Sequence, residues 1–189
     1  IIPITTLTNS GATSGAEYIP IVQSGQTTKL QVSSFVGGIN NQQLGINSTV
    51  GGGINNTALN NSATVGGGLG NVARGMSSTI GGGQYNVACG NASTIAGGNA
   101  LSAVGTYSTV VGGTSSLNSG NCAFIGGGKG NIIDPNSSQS FIGGGLSNQL
   151  SGENNFIGGG RVNRIAGKDN TDSVIVGGTG NAVLSANSG

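Results

Sequence analysis

Five carboxylates, two thiols and no imidazole make up most of the reactive chemistry in this chain. The carboxylates are Glu17, Asp134, Glu153, Asp169 and Asp172. A glycoside hydrolase needs two of them flanking one bond. Only Asp169 and Asp172 are close in sequence, and Lys168 beside them makes an ordinary charged loop. Without histidine there is no Ser-His-Asp or Cys-His arrangement and no histidine-bound metal. Gly127-Gly128-Lys129 has the look of a phosphate loop but lacks the Walker spacing and its Lys-Ser/Thr ending. The calcium-binding nonapeptide repeat requires an Asp in every copy, which is missing here. The expectation is no catalytic, cofactor or metal site, and no enzyme. Triplets such as Asn55-Asn56-Thr57 follow from a chain rich in Asn and Ser, and no glycosylation is assigned to them.

Behind these scattered groups stands a repeat. Take as anchor the apolar residue that precedes each glycine cluster: Phe35, Val50, Val65, Ile80, Ile95, Val110, Ile125, Ile142, Ile157 and Ile175. The first six steps are 15 residues long and the last three are 17, 15 and 18. Glycines stand two and three places after every anchor, as Gly82 and Gly83 follow Ile80 and Gly127 and Gly128 follow Ile125. Six places after the anchor comes Asn in eight of ten copies, including Asn86 and Asn131, with Leu101 and Ser116 as exceptions. Paired glycines at this interval exclude a helix. A fixed period of this kind implies a solenoid, one repeat per coil, with neighbouring coils paired as parallel strands. Ten coils stacked at about 4.8 Å make a rod on the order of 45 Å long.

Each column then has a physical role. The anchors stack as one aliphatic wall. Eight places on, Ala58, Ala73, Ala88, Ala103, Ile133, Leu150, Ile165 and Val183 form a facing wall that Gln43 and Asn118 interrupt. The glycine pair permits positive φ or close approach of another backbone. The Asn column is expected to turn a corner in the left-handed region and to bond along the stack. Cys89 and Cys122 occupy different columns two coils apart, beyond disulfide reach, so both are expected to be free.

The column before the anchor varies. It reads Thr49, Thr64, Thr79, Thr94 and Thr109, then Phe124, Phe141, Phe156 and Val174. Strand alternation points it away from the core. An apolar stripe there signals contact, with another protomer or a folded-back loop ahead of a ligand platform. The extra residues fall in the same half: Asp134-Pro135-Asn136 in the 17-residue step, and 167–172 in the 18-residue step. Insertions in solenoids map to loops, often on a binding face. Asp134, Lys168, Asp169 and Asp172 are therefore the candidate binding loops.

The rest of the chain sets bounds. The formal charge is +1 and 40 of 189 residues are Gly, yet the anchors and the scarcity of charge oppose disorder. Between Lys29 and Lys129 the one charged residue is Arg74. No basic patch supports nucleic acid, and no apolar run is long enough for a membrane helix. The first residue is Ile1 and no leader pattern is visible, which reads as a processed chain or part of a longer one. Residues 1–34 lie outside the repeat. Within them Glu17 to Gln23 and Thr28 to Val32 read as a hairpin whose first strand Pro20 confines to an edge.

Ser78-Thr79-Ile80-Gly81-Gly82-Gly83-Gln84-Tyr85-Asn86-Val87-Ala88-Cys89-Gly90 resembles the head repeats of trimeric autotransporter adhesins. That resemblance covers residues 35–189 and implies a left-handed parallel β-roll of three chains. The family repeat is about one residue shorter, with Ala where Asn stands here. Glu17-Tyr18-Ile19-Pro20-Ile21-Val22-Gln23-Ser24-Gly25-Gln26-Thr27-Thr28-Lys29-Leu30 is similar to a linker of phage tail fibre and tailspike proteins. Together the resemblances imply a phage fibre.

The expected fold is all-β, a parallel β-solenoid of about ten coils over residues 35–189, with residues 1–34 as a linker. A coil this thin buries too little apolar area to offset backbone ordering alone, which favours a homotrimer over a monomeric solenoid. Phe124, Phe141, Phe156 and Val174 are the expected interchain contact. The expected function is a tail-fibre shaft on the virion, joined to other fibre or tail proteins at its N-terminal side. Its tip would touch a host-surface glycan or protein. A bacterial surface adhesin or an extracellular filament is the alternative. Ice binding through the Thr column is the third reading.

Overall fold

The structure, a computed structural model, describes residues 18–23, 26–31, 38–167 and 169–184. The anchor Phe35 and the loop residue Lys168 lie outside them. Tyr18–Gln23 and Gln26–Gln31 form the expected hairpin, antiparallel from Tyr18 opposite Gln31 to Gln23 opposite Gln26.

From residue 38 onward the chain winds as a parallel β-solenoid. Each coil contributes two short strands. One contains the anchor, as in Thr79–Ile80; the other lies seven and eight places later, as in Val87–Ala88. Like strands of successive coils pair in parallel. They make a nine-stranded anchor sheet and a ten-stranded opposite sheet, and every strand pairs with its counterparts in the adjoining coils. A third ladder of single bridges runs from Ile39 through Gln84 and Lys129 to Thr179, four places after each anchor. No helix occurs among the described residues.

The core is the space between the two sheets. The anchors from Val50 to Ile157 are fully buried, and so are Ala58, Ala73, Ala88, Ala103, Ile133, Leu150 and Ile165 across from them. In the strands, the residue beside each buried one points outward. The coil is therefore flat, with two sheet faces and two ends. One end carries the glycine pair and the bridge ladder; the other carries the turn that precedes the next anchor.

The register survives both insertions. Phe124 pairs with Phe141 across the 17-residue step, and Phe156 with Val174 across the 18-residue step. The added residues therefore bulge at the turn end, where they leave both sheets undisturbed.

Candidate functional site

The Asn column does not turn the corner. Its backbone lies outside the left-handed region, which is taken instead by the preceding residue: Asn55, Gly70, Tyr85, Ala100, Ser115, Gly130, Ser147 and Val162. A second left-handed corner falls three places before the anchor, at Ser77, Ala92, Tyr107 and Cys122 among others. The Asn side chains are consumed elsewhere. Asn86 donates from Nδ2 to the Gly82 carbonyl of its own coil and to the Gly98 carbonyl of the next, both at 3.0 Å. Its Oδ1 accepts the Leu101 amide at 2.9 Å. Asn56, Asn71, Asn131, Asn148 and Asn163 repeat the pattern. All six are fully buried, and each satisfies polar groups that a flat coil end cannot pair by backbone alone. The expected bonding along the stack exists, but mostly from amide to backbone. Leu101 breaks it, having no oxygen to offer the Ser116 amide.

The two glycines of each pair differ. Gly83 sits at φ +89, and a Cβ there would meet the Gly98 carbonyl oxygen at 2.2 Å. Gly128 repeats this at φ +87 against Gly145. Their place in the repeat is forced from inside the coil. Gly82 and Gly127, the first of each pair, are not left-handed, and a Cβ on either would meet nothing within 4 Å. Nothing among the described residues requires glycine there.

The outward column of the anchor sheet holds the aromatic ladder. Phe124 and Phe141 stack with centroids 4.9 Å apart and planes 6° from parallel; Phe141 and Phe156 do so at 5.2 Å and 6°. Each ring leans over the glycine two places on: an added Cβ at Gly126, Gly143 or Gly158 would come within 3.3–3.5 Å of Phe124, Phe141 or Phe156. Register places Thr109 next to Phe124 at one end of the ladder and Val174 next to Phe156 at the other. A base or sugar stacks on a free ring face. Here the faces are turned toward one another along the rod, and the ladder presents ring edges outward. Phe124 and Phe141 are half-buried, Phe156 and Val174 exposed.

The Thr half of the column is a single file. Two places on, on the same side of the strand, stand Gly51, Gly66, Gly81, Ala96 and Val111. The hydroxyl array is one residue wide.

The insertion loops are held by their own turns and by the neighbouring coils. Asp134 accepts hydrogen bonds from the Ser151 hydroxyl and, at 3.3 Å, from Gln149 Nε2, both in the following coil. Ser137 closes the turn by donating its amide to the Asp134 carbonyl. In the longer insertion Asn170 is buried and its amide donates to the Gly167 carbonyl. Its own carbonyl accepts from Asn155 Nδ2 at 3.0 Å. Asp169 and Asp172 are exposed, and Asp172 occupies the left-handed corner at φ 56. The loops do not gather their carboxylates into one cluster with other ligating groups. No group of three His, Cys, Asp or Glu residues able to hold a metal occurs among the described residues. Cys89 is half-buried and Cys122 exposed, and both are free.

No family model matches the chain, and no curated protein matches it.

Proposed function

We propose that the chain is the shaft of a homotrimeric fibre, a mechanical element that holds an attachment tip away from its base, as in a phage tail fibre. The observation that carries this reading is the register of the three ladders. It continues through two insertions, so load along the rod is shared by hydrogen bonds at every coil. The aromatic ladder supports lateral contact with another chain. Its edges form an apolar ridge, whereas its ring faces are turned to each other. The unexplained first glycine of each pair supports close approach of a neighbouring backbone at the coil end. A host glycan or protein would then be met at the fibre tip, with other tail proteins at the N-terminal side.

Imaging of the purified particle tests the placement. Thin straight rods on a virion tail support the fibre. Rods on a bacterial surface support the adhesin or filament in its place.

A further inference from the structure

We infer that the second copy of this chain packs in parallel and in register, with the acidic turn end of one protomer against the basic glycine end of the next. The inference rests on the trimer reading above and adds which surfaces meet.

The charges carry it. From residue 125 onward the described charged groups segregate by coil end. Lys129 and Arg161 stand in the bridge ladder at the glycine end, and Arg164 faces outward from the strand that follows. Asp134, Glu153, Asp169 and Asp172 all lie at the turn end, where the Asp172 amide donates to the Glu153 carbonyl one coil below. Lys168 adjoins Asp169 in sequence but lies outside the described residues, and the balance is struck without it. Levels match in two coils, while the coil anchored by Ile142 carries Glu153 with Leu146 in its bridge position. The coil anchored by Ile125 carries Lys129 at one end and Asp134 at the other. The coil anchored by Ile157 carries Arg161 and Arg164 against Asp169 and Asp172.

Opposite ends with opposite charge constrain the symmetry. A two-fold contact made through a single coil end sets acid on acid or base on base. A contact between unlike ends is heterologous, and it closes as a ring of three when successive copies turn by a third of a circle. The charges then fix partner edge and axial register, while apolar burial supplies the affinity. The glycine end also carries Gly127, which has nothing within 4 Å of where a side chain would begin. A neighbouring turn end approaching there would account for the missing side chain.

The test uses the full chain in light scattering after gel filtration, at low and at high salt. Arg161→Glu with Arg164→Glu reverses the basic charge of the coil anchored by Ile157 and should raise the dissociation constant at least about tenfold at low salt. Adding Glu153→Lys and Asp169→Lys should restore assembly. Gly127→Leu should fold normally and fail to assemble. A monomeric wild-type chain removes the trimer reading and this inference with it. A wild-type trimer that is unchanged by the single-end reversal, or not restored by the double one, removes this inference alone.

Discussion

Phe141 lies flat on Phe124, centroids 4.9 Å apart and planes 6° from parallel, although 17 residues separate them. The contact exists because the added residues leave the sheet at the turn end and the next strand returns to register. The stripe therefore has two roles, intrachain stacking and an outward ridge, and one substitution touches both. Phe141→Leu keeps most apolar area and loses the stacking, so it should cost about 0.5–1.5 kcal/mol in denaturant unfolding. Phe141→Thr with Phe156→Thr should in addition weaken assembly. Assembly unchanged in that double variant counts against the ridge as an interchain contact.

Asn86 is the most heavily bonded polar side chain of its coil. Asn86→Ala leaves the Gly82 carbonyl and the Leu101 amide without partners, while the Gly98 carbonyl keeps the Gln84 amide at 2.8 Å. Each such group costs about 1–3 kcal/mol, so the midpoint of urea unfolding should fall sharply. A change below about 0.5 kcal/mol would mean that water replaces the ladder.

The glycine pair offers a contrast within two adjacent residues. Gly83→Ala combines φ +89 with a 2.2 Å approach to a carbonyl oxygen, and should destabilise by more than the about 1–2 kcal/mol of left-handed strain alone. Gly82→Ala meets nothing and should leave thermal unfolding of the single chain within about 0.5 kcal/mol of wild type. Equal effects at the two positions would contradict the difference in cause.

Val162 occupies a left-handed corner at φ 55, an unfavourable place for a β-branched residue. Equivalent corners hold Gly70, Gly130 and Gly180. Val162→Gly should raise stability by about 1 kcal/mol in thermal unfolding. A loss would show that the Val162 side chain, which is exposed in one protomer, is covered in the assembly.

The coil and its walls were legible because they rest on period and apolarity, which Ile80 and Ala88 display in their residue types. The corners were not. Tyr85, Ala100 and Val162 do not advertise a left-handed backbone; the ladders on either side impose it. Asn86, which does advertise one, is held by its side chain instead. The aromatic stripe was legible as a column, but the use of its ring faces was not, because that depends on how each ring leans over Gly126, Gly143 or Gly158. The carboxylate of Asp134 looked available in sequence and is engaged by Ser151 and Gln149.

The central claim is that three of these rods assemble side by side. Sedimentation equilibrium of the purified full chain measures this directly. The predicted result is a single species at three times the 18.2 kDa chain mass, dissociating as the chain is diluted or Phe141 and Phe156 are replaced. A species at 18.2 kDa across the whole concentration range would contradict it.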